Sequence, residues 1–288
     1  MSRFGFSKAL SALITVRKGQ AHYLAYAGAG LIIATLAVAV LAPFLTPFDP
    51  TQSVAAPLLG PSIQHPFGTN NLGYDMYSRA LYGTRIVLYI VLISTSLSMI
   101  AGVLLGLFSG YFGGYRDRGL TMVMDSMYSF PDIVLAMAVS IALGPGIYNA
   151  AAAIAVVYIP TYFRMVRGQA LSIREQNYVT AAKMMGAKAY DIMLRYVLPV
   201  LVPVVVTVFT LNVTDAILTE AALSYLGLGV VPPTPDWGSD LRSGQVYLPS
   251  GRWWLVTIPG IMIMVLAIAF SLLGEGLSDI LNPRISRK

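Results

Sequence analysis

Residues 86–110 read IVLYIVLISTSLSMIAGVLLGLFSG, which is 25 consecutive positions without a charged side chain. A helix needs about 20 predominantly apolar residues to cross the hydrocarbon of a bilayer. The run therefore predicts a transmembrane helix. The composition of the whole chain also indicates a lipid environment, because charged residues make up 11% of it, against roughly 25% in soluble domains.

Outward from this run, five more stretches have a similar length and polarity. The six together predict an all-α integral membrane protein with spans at Leu24–Leu45, Ile86–Gly110, Leu120–Leu143, Ile147–Phe163, Leu198–Leu218 and Trp254–Leu273. The first run follows a basic stretch, as in a signal peptide, but its 22 uncharged residues exceed the apolar region of about 7–15 residues found there. We therefore expect it to be a retained span. We interpret Gly144-Pro145-Gly146 as the turn between the third and fourth spans.

Lysine and arginine are distributed unevenly between the two sides of these spans. If the N-terminus is inside, 15 of the 19 lie on the inner side and 4 on the outer side, as the positive-inside rule requires. The predicted order is a cytoplasmic segment at 1–23, a membrane domain at 24–284 with outer loops at 46–85 and 219–253 and an inner loop at 164–197, and a cytoplasmic tail at 285–288. The basic residues form no continuous face, which argues against a nucleic-acid binder.

Two local patterns predict how the spans pack and where they meet the membrane surface. Gly102, Gly106 and Gly110 share one face of the second span, and such a face lets another helix approach closely. We predict tight helix packing there, with a gate-lining surface as the alternative. The paired Trp253 and Trp254, at the start of the last span, predict an interfacial aromatic anchor.

The inner loop contains a helix–glycine–helix pattern centred on Gly186. The apolar residues that recur near helical spacing are Val179, Ala182 and Met185 before the glycine and Ile192, Met193 and Tyr196 after it. They predict two short helices with apolar faces outside the lipid. A separate protein, the lipid headgroups or the chain's own bundle could each cover these faces.

The same loop carries a resemblance to a known family. Ala181-Ala182, Gly186 and Tyr196-Val197-Leu198-Pro199 resemble the Glu-Ala-Ala…Gly…Ile-x-Leu-Pro loop of bacterial ABC import permeases. Thr180 and Tyr196 depart from that pattern. The residues that narrow the resemblance to the dipeptide, oligopeptide and nickel permease family are His65–Thr69, Leu72-Gly73, Asp75, Ser78-Arg79, Leu81-Tyr82-Gly83, Asp125 with Phe130-Pro131, Glu220–Gly229, Pro232-Pro233, Trp237-Gly238, Leu273–Leu277, Asp279 and Pro283-Arg284. Tyr74 stands where an arginine is common in that family.

The resemblance implies a type I ABC importer permease, the shorter partner of a permease pair, in the plasma (inner) membrane. It implies a heterodimer with a homologous permease, two ATP-binding subunits inside and a solute-binding protein outside, carrying dipeptides or oligopeptides. The residues it places in contact with an ATPase subunit are Tyr178, Val179, Thr180, Ala181, Ala182, Lys183, Met185, Gly186, Ala187 and Ile192.

Cofactor, catalytic and metal sites are not indicated by the residues of this chain. No Gly-x-x-x-x-Gly-Lys-Ser/Thr phosphate loop occurs in the sequence, so ATP and magnesium are expected on partner subunits. His65 precedes a proline and has no neighbouring ligand, which favours a turn residue over a metal ligand. With only two histidines and no paired catalytic groups, catalysis by this chain is not expected.

Acidic residues inside the spans predict where a substrate could pass, because charges in lipid are costly. Asp132 lies near the middle of the predicted third span and Asp125 nearer its inner end, while Asp215 and Glu220 lie toward the outer end of the fifth. A carboxylate on a water-filled pathway suits the amino group of a peptide. The alternative for Asp125, Asp215 and Glu220 is pairing with arginine or backbone N–H groups to fix helices.

Three other functions remain as alternatives. A secondary transporter or channel would need no ATPase, but such proteins often contain inverted repeats, and the two halves show no convincing self-similarity. A membrane-embedded enzyme would need converging catalytic groups. A substrate of nickel or glutathione is the alternative within the same family.

Overall fold

The computed structural model describes residues 3–281, with side chains from Ala21 onward. The helices are α1 Arg3–Leu45, α2 Met76–Phe112, α3 Gly114–Tyr128, α4 Asp132–Leu143, α5 Ile147–Ile173, α6 Asn177–Met184, α7 Ala189–Asp191, α8 Leu198–Tyr225, α9 Trp237–Gln245 and α10 Trp254–Leu281. A π-helical turn, Ile192–Val197, joins α7 to α8, and a 3-10 turn, Leu248–Ser250, precedes α10. Pro283, Arg284 and the predicted tail at 285–288 lie outside the described residues.

Five of the six predicted spans lie within single long helices. Helices α1, α2, α5, α8 and α10 contain the first, second, fourth, fifth and sixth predicted spans, and each is long and apolar enough to cross a membrane. The third and fourth spans are separate, because α4 ends at Leu143 and α5 begins at Ile147, after two glycines with positive φ, Gly144 and Gly146.

The third span is not the continuous helix that Leu120–Leu143 predicts. Helix α3 ends at Tyr128, α4 begins at Asp132, and the two are bent by 95°. Pro131 explains the break, because proline has no N–H for the helix ladder and disfavours helical geometry at the residue before it. Counted together, the two halves make the sixth candidate span. Asp132 is consequently the first residue of α4 and not the centre of a straight helix.

The most extensive contact within the bundle joins α2 to α5. Gly102, Gly106 and Gly110 lie on the face of α2 that meets α5, where an added Cβ would come within 2.5–2.8 Å of the nearest heavy atom. The two backbones are therefore too close for any larger residue at these positions. Helix α1 packs mainly on α10, and α10 also packs on α8.

Residues 46–75, with α9, form a folded cap over one end of the bundle. Residues 46–75 and α9 cover the ends of α2, α8 and α10, with Met76, Trp254 and Leu255 at the centre of a small apolar cluster. The prediction that both tryptophans anchor at the interface is wrong for Trp254, which is buried and donates its indole N–H to Thr69 O at 3.4 Å. Trp253 is 52% exposed.

Candidate functional site

The predicted hairpin of the inner loop ends its first helix at Gly186. Gly186 N donates to Lys183 O at 3.0 Å, and Ala187 N donates to Ala182 O at 3.1 Å. This pair of bonds is a Schellman motif, which places the glycine in the left-handed region, and the φ of Gly186 is +83°. No heavy atom lies within 4 Å of an added Cβ. Backbone conformation, and not lack of space, therefore selects glycine here.

One face of the hairpin packs against the chain's own bundle. Val179, Ala182 and Ile192 are almost completely buried. The residues that form the cluster around Val179 and Ile192 are Leu107, Val166, Ala170, Ile173, Val197, Leu201 and Val205. The apolar periodicity left a separate protein, the lipid headgroups and the chain's own bundle as possible partners of this face. For these three side chains, the partner is the bundle. Their role in the structure is to hold the hairpin in place.

The opposite face of the hairpin is open to solvent. Met184 and Met185 are 84% and 78% exposed. The exposed members of the predicted coupling set are Met185, Tyr178, Thr180, Ala181, Lys183 and Gly186. Ala187 is half-buried at the edge of the inner cluster. Adjacent exposed methionines form an adaptable apolar surface of the kind found at binding sites. We call Tyr178, Lys183, Met184 and Met185 the hairpin tip.

Sequence reasoning missed part of this exposed surface. Met184 was not among the predicted coupling residues, and Tyr190 and Leu194, beyond the glycine, are 55% and 50% exposed. The signal for Met184 was its position in the last turn before Gly186. The buried face of such a helix is formed by residues three or four positions apart. A residue of the last turn that falls outside this spacing lies on the opposite face and points away from the bundle.

Polar contacts join the hairpin, and Arg174 at the end of α5 just before it, to the C-terminal end of α2. Arg174 Nη1 donates to Gly110 O at 3.1 Å and to Tyr111 O at 3.4 Å, which satisfies carbonyls near the C-terminal end of that helix. The ammonium group of Lys183 lies 5.4 Å from the centre of the Tyr111 ring, within cation–π range. A displacement of the hairpin would therefore pull on α2 as well as on α8.

A π-helical turn forms the joint between the hairpin and α8. Its closing bond runs from Leu198 N to Met193 O, and Pro199 follows immediately. Proline cannot donate to the carbonyl four residues earlier and its ring crowds that carbonyl, which favours the wider turn. Single π-turns inside helices are frequent at functional positions.

The four predicted pathway acids have three different environments. Asp125 forms an ion pair with Arg164, whose Nη2 lies 2.7 Å from Asp125 Oδ1, and the guanidinium of Arg164 also stacks on the Tyr128 ring at 3.9 Å. This pairing is the helix-fixing alternative for Asp125. It joins α3 to α5.

Glu220 is buried near the C-terminal end of α8. Its Oε1 accepts a hydrogen bond from Ser224 Oγ at 3.0 Å, and its Oε2 is buried without a hydrogen bond to any residue that the structure describes. Its neighbour is Asp236, whose backbone and side chain cap the start of α9. Glu220 therefore lies between α8 and the outer cap and has no exposed surface for a substrate.

Asp132 and Asp215 remain exposed in this chain. The two carboxylates are close enough to interact electrostatically, although one begins α4 and the other lies in the middle of α8. Tyr158 Oη and Thr219 Oγ1 share a hydrogen bond of 3.0 Å beside them. The structure thus brings Asp132 and Asp215 into one polar region and leaves Asp125 and Glu220 out of it.

An ion pair that the sequence did not predict holds the cap of residues 46–75 and α9 to α2. Arg79 Nη2 lies 2.8 Å from Oδ1 of Asp240 in α9, and both side chains are buried. Arg79 Nη1 also donates to Pro50 O at 2.8 Å and to Pro233 O at 3.0 Å. Burial raises the pKa of Asp240 to about 6, against the opposing effect of Arg79. Arg79 therefore connects residues of the two loops that the sequence predicts to lie outside.

His65, which the sequence indicates as a turn residue, also belongs to this cap. Its Nδ1 lies 2.9 Å from Asp75 Oδ1. Asp75 in turn caps α2 by accepting a hydrogen bond from Ser78 N at 2.8 Å. The imidazole is thus committed to fixing the first turn of α2.

Comparison with known proteins agrees with this architecture. The model of the family described as binding-protein-dependent transport system inner membrane component matches residues 102–287. The glutathione transport system permease protein of Salmonella typhimurium is 39% identical over 274 residues, which cover 93% of this chain and 89% of that protein. The di/tripeptide transport system permease protein of Pseudomonas aeruginosa is 38% identical over 265 residues, covering 89% of this chain and 87% of that protein.

Proposed function

Because the chain belongs to the family of binding-protein-dependent transport system inner membrane components, we propose that it forms half of the membrane pathway of an ATP-driven importer of small peptides. It is the permease component of a transport system and contributes the transmembrane helices. A homologous permease supplies the other half, so that the exposed carboxylates Asp132 and Asp215 line a pathway between the two chains.

The hairpin tip is the contact with the ATP-binding subunit in this proposal. Its support is the division of one hairpin into two faces: Val179 and Ala182 are buried in the chain's own bundle, while Met184 and Met185 project from it. A lever needs a rigid attachment on one side and a free contact surface on the other. This division is the observation that carries the proposed coupling role.

Closure of two ATP-binding subunits would displace the hairpin tip relative to the bilayer. Since Lys183 contacts Tyr111 of α2, Arg174 ties the segment that leads into the hairpin to the same helix, and the π-turn at 192–197 joins the hairpin to α8, the displacement would be transmitted to both helices. ATP and magnesium are bound and used on those partner subunits. This chain supplies the mechanical link and performs no chemistry.

The proposed setting is the plasma (inner) membrane, with both termini in the cytoplasm. The support is the excess of basic residues, 15 of 19, on the side that carries the hairpin. The cap formed by residues 46–75 and α9 then faces the exterior, where it would receive a solute-binding protein. In this orientation the hairpin and the cap lie at opposite ends of the bundle.

The proposed cargo is a dipeptide or short oligopeptide. One relative is named for di- and tripeptides and another for glutathione, and glutathione is itself a tripeptide, so it is the second candidate. Asp132 and Asp215 provide negative charge for the free amino group that these compounds share. The binding protein would select among them.

Reconstitution tests this proposal directly. We expect the chain to co-purify with a second permease and ATP-binding subunits, and the complex in liposomes to accumulate dipeptide only with ATP and the binding protein. Mass spectrometry of the compounds released from the binding protein identifies the cargo. Uptake by this chain alone without ATP would instead establish a secondary transporter or channel, and a metal without peptide would refute the peptide assignment.

A further inference from the structure

The outer cap contains a cavity that the proposed mechanism does not use. It has a volume of about 580 Å³, within the roughly 300–1,000 Å³ typical of small-molecule sites. It lies between α9 and the turn that follows α8. The residues that line it are Asn71, Pro145, Ser224, Gly227, Val230, Val231, Pro232, Ser239, Arg242, Ser243, Val246 and Tyr247.

Arg242 is the cation of this cavity and is available to a ligand. Its side chain is exposed, and among residues 21–281 no carboxylate lies within ion-pair distance of it. The two acids nearest in sequence are committed elsewhere, because Asp240 pairs with Arg79 and Asp236 accepts a hydrogen bond from Ser239 N. Among the described residues, therefore, no side-chain carboxylate neutralises Arg242.

Gly227 makes room for that guanidinium. A Cβ at this position would overlap Arg242 Nη1, so a larger residue would displace the arginine. Gly227 also ends α8 in a Schellman motif, with φ of +82° and a bond from Leu228 N to Leu223 O at 2.8 Å. The end of α8 is therefore shaped so that Arg242 lies against it at the cavity.

The remaining lining has two kinds of surface. Ser243 Oγ donates to Ser239 O at 2.9 Å, which leaves its oxygen free to accept a hydrogen bond from a ligand. Val231 and Val246 are 48% and 72% exposed and provide apolar surface. These features match the last residue of a peptide. The cation suits its carboxylate, the hydroxyl acceptor suits its amide N–H, and the apolar surface suits its side chain.

We propose that this cavity binds the free C-terminal carboxylate of an incoming peptide, with Arg242 as the group that recognises it. The inference rests on the proposed function. A guanidinium suits the role because its two parallel N–H groups match the geometry of a carboxylate. Asp132 and Asp215, deeper in the bundle, have the opposite charge and suit the amino end. A peptide would therefore meet a site for its carboxylate before it reaches a site for its amine.

The test measures binding of labelled alanyl-alanine and its C-terminal amide to the purified membrane complex without the binding protein. In the wild type, we expect the amide to bind about tenfold more weakly than the free acid, because the amide lacks one charge-assisted interaction. Arg242→Gln should bind the two compounds equally and weakly. The matched control is Arg85→Gln, which removes an exposed outer arginine that does not line the cavity.

Two results would overturn the carboxylate site. One is equal binding of acid and amide by the wild type, a comparison that requires no variant and so does not depend on folding. The other is an Arg242→Gln complex that binds alanyl-alanine normally but loses affinity for the binding protein, which would make Arg242 a protein contact. ATP-dependent uptake by the wild type is measured in parallel, so that failure of this site is distinguished from failure of the proposed function.

Discussion

Replacement of Gly186 by alanine tests whether the hairpin must be formed for the importer to work. The φ of +83° costs an L-residue about 1–2 kcal/mol. Alanine offsets about 0.4–1 kcal/mol of that by restricting the unfolded chain. Because nothing lies within 4 Å of the new Cβ, no steric cost is added. The net loss is about 1 kcal/mol, which corresponds to a roughly fivefold larger open population of the hairpin.

Hydrogen exchange of the amides in residues 177–198 measures that population in the detergent-solubilised complex. We expect exchange about fivefold faster in Gly186→Ala, and ATP hydrolysis stimulated by loaded binding protein to fall in the same variant. Gly168→Ala is the control, because it adds the same methyl group to an exposed glycine of α5 without positive φ or neighbours within 4 Å. Equal exchange in the wild type and Gly186→Ala would refute the reasoning.

Three further predictions concern the tip, the helix contact and the cap. Met185→Asp, at a side chain that is 78% exposed, should leave the unfolding temperature unchanged and weaken co-purification of the ATP-binding subunit at least tenfold; normal co-purification would exclude Met185 from the contact. Gly106→Val should lower stability by about 1–3 kcal/mol through overpacking, since its Cβ would lie 2.8 Å from Phe163 O, and calorimetry should show no such loss for Gly260→Ala, where no heavy atom lies within 4 Å. Because burial raises the pKa of Asp240 to about 6 from 3.8, its contribution to stability is complete below about pH 4 and is lost as the pH rises through 6; the wild-type unfolding temperature should therefore fall more between about pH 5 and pH 7.5 than that of Asp240→Asn, and equal falls would contradict the assignment.

Helix positions were predictable because span length and apolarity are local properties of the sequence. The run at 86–110 lies within α2, and that at 198–218 lies within α8. The break at Pro131 was not predicted, although the proline was visible, because hydrophobicity is continuous across it. Whether a proline kinks a span or ends it depends on neighbours that can satisfy the freed backbone groups, and those neighbours are set by tertiary structure.

The candidate functional surfaces could likewise be predicted only in part, because their contacts are set by tertiary structure. Periodicity identified Val179 and Ala182 as one apolar face but could not show that the bundle, and not a second protein, covers it. Arg79 and Asp240 are 161 positions apart, and nothing in either local sequence distinguishes a buried partner from a solvated charge. The orientation of the termini was inferred from charge counts, and it remains a prediction.

Helix α8 connects these surfaces in one element. It has 28 residues, so at 1.5 Å per residue it is about 42 Å long. The π-turn and hairpin precede its N-terminal end, Asp215 is along its length, and Gly227 with the Arg242 cavity follows its C-terminal end. A continuous helix transmits displacement along its axis better than a flexible segment. Movement of the hairpin would therefore reach the proposed amine and carboxylate sites through α8. Spin labels at the exposed positions 194 and 226 would report this as correlated shifts on ATP binding, and a shift confined to position 194 would show that the π-turn absorbs the motion.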